Sequence, residues 1–290
     1  MNQARTLDTT EISLHSTDGV VELLQITDTH LFAGKNTDLL GIAPWHSCRA
    51  VVDAILEDER ACEASRRDLI LATGDLSQDH SGASYRHFTA LMSELAPPVF
   101  WLPGNHDDAP LMQAELDRAG ISNAKHLLCG QWQILLLDTQ IPGETHGELS
   151  DSQLALLEQV IEHYPERHLL VAVHHQAVPV GCAWLDQHNL RNADALRALL
   201  TRHQVGHDGV SRVVLSGHVH QGFDQTHHGV RYLASPSTCL QFKPLSDDFA
   251  LDSMAPGWRA ISLYPDGRLS TQVWRLPPDA FVPDFSAKGY

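Results

Sequence analysis

No stretch of this 290-residue chain approaches the roughly 18 consecutive apolar residues of a membrane-spanning helix, which excludes an integral membrane protein of that kind. There is no Cys-x-x-Cys pair. The five cysteines (Cys48, Cys62, Cys129, Cys182 and Cys239) are odd in number and far apart, which excludes a thiolate zinc site and a disulfide framework. Residues 1–20 hold no apolar core of a secretory signal, so with the unpaired thiols the expected location is the cytoplasm. Basic residues are scarce: 20 Lys+Arg stand against 36 Asp+Glu, a formal charge of −16. That balance excludes a protein that holds nucleic acid on a basic face. Internal repeats and low-complexity segments are also missing. What remains is ordinary globular composition, 43% hydrophobic and 19% charged. A domain of this size buries roughly 75% of its unfolded surface and needs no staples. One count is high, the 19 histidines. Histidine is the commonest metal ligand, so where these fall matters most.

Apolar runs of strand length alternate with longer amphipathic stretches. Residues 20–27 (VVELLQIT), 68–73 (DLILAT), 99–102 (VFWL), 168–173 (HLLVAV) and 212–216 (RVVLS) read as strands buried on both faces. Residues 125–129 and 131–138 read as a hairpin. Helical spacing of Leu, Ala and Val covers 47–65, 81–95, 110–119, 150–164 and 191–203. Ser150 with Gln153 forms a capping box, and Pro110 suits a first helical turn. This alternation predicts an α/β fold. After Gly217 the texture changes to short strands at 230–234, 258–264 and 269–275, with a turn at Pro265-Asp266-Gly267 and a Pro-rich tail.

Each buried strand runs into chemistry-bearing residues. The first reaches Asp28-Thr29-His30, the second Gly74-Asp75, and the third Gly104-Asn105-His106-Asp107. The remaining two reach His174-His175 and Gly217-His218-Val219-His220. In an α/β sheet, residues just past the carboxyl ends of strands converge on one edge, where ligand sites form. Asp-x-His and His-x-His spacings put both side chains on one side if the segment is extended, since the side-chain period of a strand is two. Glycines at 74, 104 and 217 let the backbone turn where each ligand is presented. Taken singly, each block also reads as a polar turn or a satisfied core histidine. Five of them at the same punctuation, in one chain, do not.

The series D-x-H, G-D, G-N-H-D, H-H and G-H-x-H resembles the calcineurin-like metallophosphoesterases, with every block intact between about Val21 and His220. Within them, LLQITDTHLF, ATGDLSQD, PGNHDD, residues 181–187 (GCAWLDQ), LSGHVHQ and residues 242–259 resemble the bacterial class III 3′,5′-cyclic AMP phosphodiesterases. The resemblance implies a four-layer α/β/β/α sandwich with a small C-terminal extension. The domain would span 21–276, after an N-terminal segment 1–20 and before a tail 277–290. It implies two metal ions per chain, iron or manganese first and zinc as an alternative. Asp28, His30 and His220 would hold one, and Asn105, His174 and His218 the other, with Asp75 bridging. Mixed nitrogen and oxygen donors without thiolate suit such ions. An aspartate can bridge because each of its two oxygens has lone pairs for a separate cation. The implied reaction opens 3′,5′-cyclic AMP to 5′-AMP by in-line attack of a hydroxide shared by the metals. Asp75 and His106 would be the catalytic residues, His106 stabilising phosphoryl charge or protonating the leaving oxygen. His30, Asp75, Asn105, His106 and His220 would meet the substrate. The implied partner is a small molecule, with neither nucleic acid nor membrane.

Asp107 reads either as the acceptor that sets a histidine tautomer or as a turn-stabilising side chain. Trp184 reads either as a stacking surface for a purine or as local packing, and Phe32 and Trp45 invite the same caution. His80 and His87 read as pocket residues or, preferably, as solvated ones. The histidines at 126, 163, 168, 203, 207, 227 and 228 follow no ligand spacing and read as surface residues. The alternative function is a metallophosphoesterase for another ester, such as a glycerophosphodiester, cyclic GMP, a 2′,3′-cyclic nucleotide or a lipid pyrophosphate. A protein phosphatase is disfavoured because residues 74–79 (GDLSQD) lack the arginine-bearing block after the bridging aspartate. A non-catalytic scaffold is disfavoured because no ligand position is lost.

Overall fold

A computed structural model of the chain describes residues 7–61, 67–202 and 209–289. Among the described residues, twelve strands form two sheets. The smaller sheet contains β2 (Val21–Ile26), β3 (Leu69–Thr73), β4 (Val99–Leu102), β11 (Gly257–Leu263) and β12 (Leu269–Arg275), in the order β12-β11-β2-β3-β4. The larger contains β1 (Thr9–Glu11), β5 (His126–Cys129), β6 (Trp132–Leu136), β7 (His168–Val173), β8 (Arg212–Ser216), β9 (Phe223–His227) and β10 (Val230–Ala234), in the order β1-β5-β6-β7-β8-β10-β9. The strands that carry the chemistry are parallel to their neighbours: β2 to β3, β3 to β4, and β7 to β8.

The continuous apolar runs follow from burial on both faces. Val21 and Leu23 of β2, Leu69 and Leu71 of β3, and Leu170 and Ala172 of β7 meet in the layer between the sheets. Their alternates Leu24, Ile26, Ile70 and Ala72 turn outward under α1 (Pro44–Ala61), α2 (Gly82–Met92) and α3 (Ala109–Arg118). On the other side Leu169, Val171 and Val173 lie beneath α4 (Asp151–His163) and α5 (Ala193–Arg202). The result is the expected α/β/β/α sandwich. Each fully buried aliphatic side chain contributes roughly 1.5–3 kcal/mol of transfer free energy, and both faces of every central strand draw on it. Among the described residues, no helix is long and apolar enough to cross a membrane.

The helices begin where their capping residues dictate. Ser81 Oγ accepts from Ser84 N, Asp108 Oδ1 from Leu111 N, and Ser150 Oγ from Gln153 N. The second half of the predicted capping box is not made. Gln153 Oε1 accepts from Asp138 N instead, tying α4 to the loop after β6. The first predicted helix starts three residues early, at Pro44, because proline fits a first helical position; its far end, 62–65, lies outside the described residues. The strands after Gly217 complete both sheets, and residues 277–289 fold back so that Asp284 N donates to Leu40 O at 2.7 Å. Strands β1 and β9 were not expected. Both are edge strands, short or polar, and lack the apolar pattern that would reveal them.

Candidate active site

Asp28, Asp75, Asn105, His174 and the His218/His220 pair all follow the carboxyl ends of β2, β3, β4, β7 and β8, and the sandwich brings them to one rim. The same-side spacing does not come from extended strand, as the sequence suggested. Asp28, His30, Asp75, His218 and His220 all adopt left-handed backbone, with φ of 53°, 46°, 52°, 67° and 49°. Non-glycine residues are held there only when their surroundings over-determine them, a pattern that clusters at functional sites. Backbone bonds do the holding: Asp28 N donates to Gly74 O, His30 N to Asp75 O, and Leu31 N to Leu76 O at 2.9–3.0 Å. The loops after β2 and β3 thus continue side by side beyond the sheet.

Of the three glycines, Gly74 needs its φ of 94°, whereas Gly104 serves close approach: a Cβ there would strike Asp75 Oδ1 and come within 2.5 Å of Asp75 N. We therefore expect Gly104→Ala to lower metal content and activity together, although it removes no functional group. Full metal content in that variant would show that the Asp75 loop tolerates displacement.

Two groups of donor atoms meet at the rim. In the first, His30 Nε2 lies 3.1 Å from His220 Nε2, and His220 Nε2 lies 3.3 Å from Asp28 Oδ1. In the second, His174 Nε2 lies 3.1 Å from Asn105 Oδ1 and 3.2 Å from Asp75 Oδ2, with His218 and His175 close by. Asp75 Oδ2 also faces His30 Nε2 at 3.9 Å. Asp75 Oδ1 accepts the His106 backbone N–H at 2.8 Å. One oxygen of Asp75 therefore faces both groups, rather than one oxygen for each as the residue type had suggested.

The far sides of the rings are committed. His220 Nδ1 donates to Leu240 O, His174 Nδ1 donates to Thr73 O, and His30 Nδ1 lies 2.6 Å from Gln78 Oε1. That turns the Nε2 atoms of His30 and His220 toward one another, at the ~3 Å that a cation with ligands at about 2.1 Å sets between neighbouring donors. His218 Nε2 and His175 Nε2 are buried with no hydrogen-bond partner. The residues fit two cations.

Electrostatics agrees. Burial alone would push the Asp75 carboxyl up, but His174, His106 and His30 hold it well below the usual range; burial likewise opposes the charge of Asp28, whose pKa His220 lowers. Burial drives His30 down to about 3, and burial with neighbouring histidines pushes His218 and His175 well below their ordinary value. His174 goes the other way: burial opposes its charge, yet Asp75 and Asp28 raise it to about 9. A buried, net negative cluster of this kind calls for a positive charge.

His106 stands apart from the donors, its ring 5.1 Å from that of His30 and edge-on to it; burial lowers its pKa. Asp107 touches no histidine ring nitrogen. Its carboxylate accepts from Leu76 N, Ser77 N, Gly104 N and Tyr85 Oη at 2.9–3.2 Å. It stabilises the turn and clamps the two ligand loops, while burial and Asp75 push its pKa up to about 7. His80 is exposed, and His87 bonds the Phe32 carbonyl away from the donors. His126 and His168 are buried, not surface residues: His126 is bonded by Thr9 and Gln133, and His168 by Ser211 N and Pro265 O. His203 and His207 lie outside the described residues.

Sequence reasoning missed Gln78 and His175. His175 was visible in the H-H block, but only the fold turns its ring toward His218, at 4.8 Å between centroids.

Residues 21–222 match the family described as Calcineurin-like phosphoesterase. Over 271 residues the chain is 49% identical to the 3′,5′-cyclic adenosine monophosphate phosphodiesterase CpdA of Escherichia coli (strain K12), covering 93% of this chain and 95% of that one. It is 44% identical over 275 residues to the protein of the same name from Pseudomonas aeruginosa, covering 95% and 97%. Among solved structures, a dimetal phosphatase from Danio rerio superposes with a TM-score of 0.57 at 16% identity, over 89% of this chain and 99% of that one. That likeness speaks to the fold alone.

Proposed function

The chain belongs to the calcineurin-like phosphoesterase family, and from that premise we propose that it is a metal-dependent phosphodiesterase that opens 3′,5′-cyclic AMP to 5′-AMP. The metal ligands are Asp28, His30 and His220 on one side and Asn105, His174 and His218 on the other, with Asp75 between them. The observation that carries this reading is the pair of opposed nitrogens on His30 and His220, 3.1 Å apart with their other ring nitrogens committed. Donors of nitrogen and oxygen without thiolate favour iron or manganese, with zinc a further fit. Two such cations, when bound, supply Lewis acidity and lower the pKa of water toward ~7.

The chain's own groups do the rest. Asp75 and Asp28, ionised by their histidine neighbours, anchor positive charge at the rim of a chain whose −16 would otherwise repel an anionic diester. Asn105 offers a neutral amide, and the backbone bond from His106 N to Asp75 Oδ1 fixes the carboxylate. Opening the ring to 5′-AMP breaks the P–O3′ bond and leaves an alkoxide that needs a proton. His106, beside the donors and outside them, is the group that gives it. Four thiols, at Cys48, Cys129, Cys182 and Cys239, are buried and unbridged, in keeping with work in the cytoplasm.

A panel of 3′,5′-cAMP, 3′,5′-cGMP, 2′,3′-cAMP and glycerophosphodiesters tests the reading, alongside elemental analysis. We expect two metals per chain, 5′-AMP as the product of 3′,5′-cAMP, and reversible loss of turnover on strong chelation. One metal or none in active protein, or preference for a glycerophosphodiester, would overturn it.

A further inference from the structure

We propose that Trp184, Phe242 and Phe249 form the seat of the substrate's purine base, so that the site selects cyclic nucleotides over phosphodiesters that lack a base. This rests on the phosphodiesterase reading above. The three rings wall a cleft of about 230 Å³ whose floor is Asn105, His106 and His218. A base held on that wall therefore belongs to the same molecule as a phosphate held on that floor.

The wall is built in advance. Trp184 meets Phe242 and Phe249 edge to face, at centroid distances of 4.9 and 5.2 Å. Phe242 stacks on the ring of His220 at 4.2 Å and 14°, so the wall is keyed directly to the donor cluster. The segment carrying Trp184 is tied to the segment carrying Phe249: Ala183 N donates to Ser246 O at 3.1 Å, and Cys182 Sγ lies 3.2 Å from the same oxygen. Asp186 closes the turn before it, accepting from Val180 N and Gly181 N. Trp184 and Phe249 are half-buried, so part of each ring stays open to the cleft. A purine offers two flat apolar faces to such a wall. Thr145 and His188 also line the cleft, their Oγ1 and Nδ1 hydrogen-bonded to each other at 2.8 Å. The chain's end takes part too: Gly289 borders the cleft, and Phe281 and Ala287 lie against the same apolar cluster.

The test compares kcat/KM for 3′,5′-cAMP with that for methyl 4-nitrophenyl phosphate in Trp184→Ala and Phe249→Ala, with metal content measured alongside. Loss of a base–aromatic contact is expected to raise KM for cAMP roughly tenfold or more and to lower the cAMP-to-ester ratio to match. Trp184→Phe should restore most of the loss. Calorimetry on the metal-loaded protein should show 5′-AMP, the product, binding more tightly than ribose 5-phosphate, and that margin should shrink in Trp184→Ala. An unchanged ratio in both alanine variants, or equal binding of the two ligands to wild type, would overturn the seat. Wild-type protein that cleaves the ester but opens no cAMP would instead overturn cyclic AMP as the substrate. The calorimetric comparison would still decide the seat.

Discussion

Asp75→Asn is expected to lose both metal ions and to lower cAMP turnover by about 10⁴-fold. Asp75 Oδ2 faces both donor groups, 3.2 Å from His174 Nε2 and 3.9 Å from His30 Nε2. The substitution removes one negative charge from the centre of the cluster, and an amide nitrogen there cannot coordinate. Two cations would then face one another without their shared counter-charge. Losing the several kcal/mol of transition-state stabilisation that such ions supply, at 1.36 kcal/mol per tenfold, gives the stated scale. Asp28→Ala should be milder, because Asp28 lies closest to His220, at 3.3 Å, and its loss leaves Asp75 in place between the two groups. Elemental analysis, turnover and circular dichroism on both variants check this. Two metals retained in Asp75→Asn, or near-equal mild losses in both variants, would remove Asp75 from the bridging position.

The parts of the site that a reader can extract from the sequence are those in which residue type and strand punctuation coincide. Asp28, Asp75, Asn105, His174 and His218 all follow apolar runs that become buried strands, so one rule about strand ends gathers them. The parts that stay hidden depend on the backbone. The left-handed φ angles of Asp28, His30, Asp75, His218 and His220 leave no mark in residue type, because glycine, the usual sign, is absent from those positions. The acceptors that orient His174 and His220 are carbonyl groups of Thr73 and Leu240, which any residue would provide. Asp107 illustrates the opposite difficulty. Its identity suggests a partner for a histidine, yet two backbone loops reach it first with three N–H groups, and the Tyr85 hydroxyl with a fourth donor. The same holds for the sheets: the central strands declare themselves by apolar runs, whereas β9, mostly exposed along its length, reads as loop.

His106→Ala separates chemistry from metal binding, and we expect it to keep two metals while kcat for cAMP falls by ~10²–10⁴-fold, the usual contribution of a general acid. The residue adjoins Asn105 in the chain, but its ring lies against His30 and not among the facing nitrogens. Its tie to Asp75 is through the backbone N–H, which alanine preserves, so the Asp75 carboxylate should keep its position. The side chain is what the variant removes. A diester with a good leaving group, such as methyl 4-nitrophenyl phosphate, needs less protonation of its departing oxygen and should lose less rate than cAMP, whose 3′-alkoxide is a poor leaving group. Metal lost together with activity would make His106 a ligand, and an unchanged kcat would make it a bystander. Equal losses on the two diesters would keep His106 at the phosphate as a stabiliser of phosphoryl charge, and would refute its part as the proton donor.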